Sequence, residues 1–378
     1  GRKRNIGYRI IRRFSCVSIA FFVHFYVRLD YSSLVAFEQE EILQITSKIE
    51  RWFTKSAREF PWRNDDFPWG RLVCEFMAQQ TQIDRVAQRW PIMLQRFPEP
   101  SSMAKSDEQG VLELWQGLGY YRRAKNLKKT AEIIASEFGG EVPSDIESLL
   151  QLPGVGKYTA GAIASIAFEK HAPIVDANVH RVLCRLCNHA GDPTPSTWTW
   201  QISELLVTSC NSPQLFNEGL MELGATVCTS KSPSCDDCPL QSCCGASKEN
   251  TQRDIPPPKK RATKKRVYHY SVVAEHEGEL AFEQRNDSGL WAGMWQVPTI
   301  DSDVKLTEAQ VRKKLNLKNK LISIGEFEHV LSHRIISFSV FACKIERDRR
   351  FSWVKQDSLH ELPLASAQRK VLAVHCVT

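Results

Sequence analysis

Nowhere in the chain do 18 apolar residues run consecutively, so the sequence contains no candidate transmembrane helix. It has no internal repeat, which excludes a solenoid or propeller. No sign of charge dominates: 50 Lys and Arg face 43 Asp and Glu, a net +7. That balance excludes a tail-like polyelectrolyte and permits, without requiring, a nucleic-acid partner. Acidic residues are missing altogether from residues 1–29, which carry Arg2, Lys3, Arg4, Arg9, Arg12, Arg13 and Arg28 around a short apolar run from Cys16 to Val27. This segment, with its continuation to residue 36, reads as a leader, either transit-like or disordered.

The remainder has ample material for two folded domains. From residue 37 to 247 apolar residues recur at helical spacing, as in Ile42–Phe53, Arg71–Gln82, Val111–Trp115, Leu127–Glu137 and Thr159–Phe168. Residues 248–266 hold eight Lys and Arg and three consecutive prolines at 256–258, the composition of an extended basic linker. From 267 to 378 the pattern turns strand-like. Tyr268–Ala274 and Glu279–Gln284 flank a Glu277-Gly278 turn, Ile322–Val330 and Arg334–Ile345 follow, and Leu306–Leu315 and Ala365–Val374 read as helices. The expected architecture is an all-α domain followed by an α+β domain.

Five of the 12 cysteines crowd between residues 228 and 244. A chain of this length needs no disulfide staples, so the crowding points to a metal centre in a reducing compartment. Cys228, Cys235, Cys238 and Cys244 are separated by six, two and five residues. Four thiolates so spaced can wrap either zinc or an iron–sulfur cluster. Cys243 competes for the place of Cys244. Cys184 and Cys187 form a second close pair, expected to be core thiols on a helix.

Leu152-Pro153-Gly154-Val155-Gly156 joins two helical stretches. Its glycines allow a tight turn, and the helix opening near Lys157 directs free N–H groups outward, a site suited to a phosphate. Val175-Asp176-Ala177-Asn178-Val179 lies about 20 residues on. The hairpin, this aspartate and the cysteine spacing together resemble the endonuclease III and MutY superfamily of helix-hairpin-helix DNA glycosylases. The resemblance implies a four-iron, four-sulfur cluster on the cysteine loop. An Asp in the position of Asp176 stabilises the positive charge that develops on a sugar as its N-glycosidic bond breaks. Glu75 lies in the otherwise apolar Val73-Cys74-Glu75-Phe76-Met77; burial there should raise its pKa and suit it to act as a general acid.

Within that superfamily the chain resembles the MutY family of adenine DNA glycosylases. The resemblance rests on Pro61-Trp62-Arg63, Glu75 to Gln82, Leu118-Gly119-Tyr120-Tyr121, Leu152 to Gly161, Asp176 to Arg181, Met221-Glu222-Leu223-Gly224 and the cysteine loop, in that family's order. It implies that Glu75 protonates the departing adenine, Asp176 stabilises the sugar cation with support from Tyr158, and Asn178 holds Asp176. Trp62, Arg63 and Glu222 would line the base pocket. Gln80 and Tyr120 would wedge into the duplex where the flipped base leaves a gap. Gly154, Gly156 and Lys157 would meet the DNA backbone. Tyr158 stands where strand-cutting relatives carry a Schiff-base lysine, so a monofunctional enzyme is expected, with weak lyase chemistry from Lys157 left open. Cys74, Phe76 and Ala78 depart from the family's usual Ser, Val and Leu, and Ala78 puts strictness for adenine in question.

Gly289 to Pro298 resembles a segment of Nudix folds, but residues 299–320 lack the paired carboxylates of a magnesium-binding Nudix box. The C-terminal domain is therefore expected to bind rather than hydrolyse. In the family it reads the oxidised guanine, and Ser332, in His329-Val330-Leu331-Ser332-His333, is the candidate contact; a plain turn between strands is the alternative. The expected substrate is duplex DNA with adenine opposite 8-oxoguanine or G. The expected form is a monomer with no membrane association, located in nucleus or mitochondrion, with repair or replication proteins meeting the linker. A thymine or pyrimidine glycosylase, an inactive lesion-binding protein and a nucleotide pyrophosphatase are the rival readings.

Overall fold

The computed structural model describes residues 37–64, 67–259, 263–286 and 288–377. The leader at 1–36 and the linker's Lys260 and Arg261 lie outside the described residues. Helices follow one another from Gln39 to Lys248, and strands begin at Lys265.

In the helical part, the Gln39–Ser56 helix buries Ile42, Ile45, Ile49 and Phe53 along one stripe. The Pro68–Ala78 helix starts on a proline at its first turn and buries Trp69, Leu72, Val73, Phe76 and Met77. It stops at Ala78, four residues short of the Gln82 end that its helix-forming sequence suggests. Gln79 turns out of the helix and Gln80 takes the left-handed conformation, φ 55°. The Arg122–Glu137, Lys157–Ile166, Ala177–Leu186 and Pro213–Thr226 helices complete the frame of the site. The last two pack face to face: a Cβ on Gly224 would stand 2.8 Å from Asn178 Cβ, so only glycine permits that approach.

The C-terminal part is a mixed seven-stranded sheet. Its strands are β1 (Lys265–His276), β2 (Glu279–Gln284), β3 (Trp295–Gln296), β4 (Thr299–Ser302), β5 (Ile322–Val330), β6 (Arg334–Lys344) and β7 (Ser352–Lys355). The order is β3-β2-β1-β6-β5, with β4 also pairing β1 and β7 pairing β2. β1 and β6 are parallel from Lys265↔Arg334 to Glu275↔Lys344, and β5–β6 and β1–β2 are antiparallel hairpins. Period-two alternation along β1 separates two cores. Val267 and Val273 face the Ser366–Val377 helix with Ala367 and Val371; Tyr270, Val272 and Ala274 face the Glu308–Lys314 helix with Val311. Met294 and Ala365 are buried in the same apolar cluster as Trp115 and Leu118 of the helical part. Beside them Arg369 Nη2 donates to Gln116 Oε1 at 2.6 Å.

Candidate active site

Two helix starts, two helix interiors and a 3₁₀ turn converge on a pocket of about 510 Å³. Glu75 enters from the Pro68–Ala78 helix, and Tyr158 from the first turn of Lys157–Ile166. Asp176 is the N-cap of Ala177–Leu186. Pro213–Thr226 contributes Glu218, Met221 and Glu222, and the 3₁₀ turn Pro61–Asn64 contributes Trp62 and Arg63.

The Asp176 carboxylate is held in place. Oδ1 accepts from the Val179 N–H at 2.7 Å and Oδ2 from Asn178 Nδ2 at 3.2 Å. Burial nevertheless raises its pKa above the ordinary aspartate value, against the pull of those bonds and of Arg181. The Glu75 carboxyl is pushed up to about 7, first by burial and then by the nearby Asp176 and Glu218 carboxylates, with Arg71 and a hydrogen bond from Tyr158 opposing. Burial, Glu75 and Asp176 drive the Tyr158 phenol well above its usual range, so it stays neutral and a donor. Its hydroxyl also lies 3.0 Å from Met221 Sδ. The pocket thus holds one carboxyl that keeps its proton near neutrality and a second, hydrogen-bonded carboxylate, two environments suited to an acid and a charge stabiliser.

Glu222 is anchored by two arginines. Arg58 Nε and Nη2 donate to it at 2.7 and 3.1 Å, and Arg63 Nη2 at 2.9 Å. Burial pushes its pKa up, but the two guanidiniums outweigh that and hold it below the usual range. Arg71 and Glu218 form a buried ion pair at 3.0 Å in the same wall. Arg58, Arg71 and Glu218 are functional candidates that sequence reasoning missed. A buried pair 147 residues apart in sequence leaves no local signal. Cys74 and Ala78 line the pocket; Phe76 does not, and instead packs where a Cβ on Gly154 would fall, 2.9 Å away.

The other expected site residues stand elsewhere. Gly154 has φ +84°, and its turn leads into Gly156, the N-cap of the Lys157–Ile166 helix. The Lys157 ammonium lies over the Trp200 ring at 4.1 Å and is not part of the pocket lining. Gln80 and Tyr120 are exposed, left-handed turn residues (φ 55° and 48°) outside the pocket. Ser332 is exposed in the turn between β5 and β6, its hydroxyl 3.4 Å from His333 Nδ1.

Cys228, Cys235, Cys238 and Cys244 line one separate cavity together with Arg185. Arg185 Nη1 lies 3.4 Å from Cys228 Sγ and 2.7 Å from Thr229 O, while its Nε donates to Ile255 O at 2.8 Å. Cys243 is outside this lining and donates to Leu240 O at 3.3 Å. Cys184 is buried, and Cys187 caps the end of the same helix. Arg181 joins the two regions: Nε donates to Cys228 O at 2.8 Å, Nη2 to Asn178 Oδ1 at 3.0 Å and to Gly224 O at 2.7 Å.

Residues 73–206 match the HhH-GPD superfamily of base excision DNA repair proteins, and residues 269–374 match a NUDIX domain. A thermostable thymine-DNA glycosylase structure superposes with a TM-score of 0.51 at 27% identity, covering 56% of this chain and 98% of that one. Among whole-length relatives, the adenine DNA glycosylase of Buchnera aphidicola is 30% identical, covering 86% of this chain and 97% of its own. The chain belongs to the adenine DNA glycosylase family. The human member is likewise 30% identical, over 89% of this chain and 74% of its own. The Mycolicibacterium smegmatis member reaches 43% over 193 residues. This family membership makes the protein a base excision repair glycosylase, a hydrolase of N-glycosyl bonds, built from a helical glycosylase domain and a Nudix-like domain.

Proposed function

We propose that the protein excises adenine from duplex DNA in which adenine stands opposite 8-oxoguanine or G, leaving an abasic site without cutting the strand. The observation that carries this reading is the pairing of Glu75, with its pKa near 7, and the capped Asp176 across one pocket. Glu75 donates its proton to the leaving base, which departs neutral. Asp176, acceptor-only and fixed by Val179 and Asn178, faces the cation that develops on the sugar. Tyr158, neutral and bonded to Glu75, orients that carboxyl and closes the side where a nucleophilic lysine would have to stand. Trp62 and the Arg58–Glu222–Arg63 group supply a ring surface and fixed donors and acceptors for a flipped purine edge. Gln80 and Tyr120 act as wedges, and Gly154, Gly156 and Lys157 meet the backbone. Ser332 in its exposed turn is the contact for the opposite base.

The four cysteines fit a four-iron, four-sulfur cluster: their thiols surround a common cavity. Among the described residues, no three His, Cys, Asp or Glu side chains are grouped to hold a single metal ion. Four thiolates are a donor set that an iron–sulfur cluster takes. When bound, the cluster supplies rigidity to the loop, and the chemistry rests with the pocket residues. Nucleus or mitochondrion is the proposed compartment, because a DNA-repair enzyme works where duplex DNA is kept.

Duplexes with A opposite 8-oxoguanine, A opposite G and T opposite G, treated with alkali after incubation, test the reading. Strand cleavage of the A strand only after alkali is expected. No cleavage of that strand would sink it, cleavage of the T strand alone would favour the thymine reading, and cleavage without alkali would overturn the monofunctional assignment.

A further inference from the structure

One guanidinium organises both exposed turns that leave the helical core next to the pocket. Arg123, 7% exposed, directs Nη1 to the carbonyls of Phe76 (3.0 Å), Met77 (2.8 Å) and Gln79. Its Nη2 reaches Thr81 Oγ1 (3.0 Å) and the carbonyls of Leu118 and Gly119 (2.9 Å each). The same side chain lies under the Tyr120 ring, 5.6 Å from its centroid, and against Trp115 at 5.3 Å. Trp115 Nε1 adds a second donor to Gly119 O at 3.1 Å, and Thr81 Oγ1 reaches across to Leu118 O at 3.3 Å.

The placement of these bonds is specific. Gln80 and Tyr120 both hold positive φ, a conformation that a non-glycine residue keeps only where its surroundings impose it. The peptide plane that sets each φ carries the carbonyl of the preceding residue. Those carbonyls belong to Gln79 and Gly119, and both are held by Arg123. Thus a single side chain fixes the two planes from which the two exposed residues project. Five of its six acceptors are backbone carbonyls, including orphaned ones at the end of the Pro68–Ala78 helix, where a cation also meets the negative end of the helix dipole.

We propose that Arg123 is the positioning residue of the base-extrusion step: it holds Gln80 and Tyr120 preformed as a rigid pair of wedges. This rests on the adenine-excision reading above and assigns its flipping step to a residue that touches neither base nor sugar. A wedge that is already ordered does not lose conformational freedom when it enters the duplex, so the benefit appears only where a stacked base must be expelled.

The test compares single-turnover excision by the full-length protein on two duplexes. In one, the target adenine is stacked and paired with 8-oxoguanine; in the other it faces an abasic analogue, where extrusion is already cheap. Arg123→Lys keeps the charge but cannot span six acceptors. With circular dichroism unchanged, it should slow excision from the paired duplex about tenfold or more, and from the duplex with the abasic analogue by no more than about threefold. The loss should also fail to add to that of Tyr120→Ala, because one acts through the other. Equal losses on the two duplexes, additivity with Tyr120→Ala, or no loss at all would overturn the proposal. If Arg123→Lys does not fold, Thr81→Val, which removes a single acceptor of the clamp, carries the same duplex comparison with a smaller split. Failure of the unsubstituted protein to excise adenine from either duplex is a separate outcome, which removes the adenine reading and the wedge assignment with it.

Discussion

Replacing Glu75 by Gln should move activity and stability in opposite directions, a combination that a merely structural carboxyl would not produce. With its pKa near 7, about half of Glu75 carries a proton at pH 7, about a tenth at pH 8 and about a hundredth at pH 9. The chemical step should therefore fall close to tenfold per pH unit on the alkaline side. Glutamine cannot release a proton to the base, so Glu75→Gln should lose about 10²–10⁴ in single-turnover rate and lose the alkaline limb. The sign for stability follows from the same shift. A carboxyl whose folded pKa lies above its unfolded value favours the folded state fully below about pH 4.5, and that advantage is lost as pH rises to about 7. Above pH 7 the buried carboxylate is a standing cost that glutamine lacks. Denaturant melts at pH 8 should show the variant at least as stable as the parent, and the difference should vanish towards pH 4.5. Single-turnover rates between pH 5 and 9 alongside those melts would check it. A flat alkaline limb in the parent, or a variant that loses stability at pH 8 as well as activity, would refute the assignment.

Three further outcomes follow from the geometry. Arg71→Met strands Glu218 beside Glu75; it should cost about 3–5 kcal/mol in denaturant melts, and adding Glu218→Gln should restore most of it. Gly154→Ala must hold φ +84° and push its Cβ within 2.9 Å of Asn126 and Phe76, so it should lower the melting free energy by more than the ~1–2 kcal/mol of left-handed backbone alone and weaken duplex binding in a gel-shift titration. Arg181→Leu frees Asn178 and Cys228 O together; it should reduce kcat more than duplex affinity while leaving Trp62 and Glu222 in place, and a change in affinity alone would contradict that.

Much of this was legible in the sequence because the informative features are local. Glu75 is conspicuous as a charge in an apolar helical stripe, and Asp176 by its place about 20 residues after the hairpin, the arrangement of the superfamily it resembles. The hairpin glycines and the cysteine spacing are local too. What could not be read were interactions between distant segments. The Gln79-Gln80-Thr81-Gln82 stretch holds three good helix formers and one poor one, Thr81, so a helix was expected through Gln82. Arg123 overrides it by taking the carbonyls of Phe76, Met77 and Gln79. The parallel pairing of β1 with β6 joins segments far apart in sequence, and β4 and β7 are four residues each, with seven of those eight residues exposed or half-buried, too short to leave a period to detect. Cys243 was ambiguous by spacing, and only the fold shows its thiol turned to Leu240 O and outside the cavity that the other four cysteines line.

The bond from Arg369 to Gln116 gives the C-terminal domain a handle on the helical one. Gln116 opens the short turn through Gly117, Leu118 and Gly119 to Tyr120, and Met294 and Ala365 are seated in the apolar cluster behind that turn. A segment so short has no slack to absorb a shift of several ångströms. Displacing the Ser366–Val377 helix must either break its link to Gln116 or drag the base of the Tyr120 turn with it. Mechanically, then, the C-terminal domain is less a tethered passenger than a brace that bears on the turn carrying Tyr120.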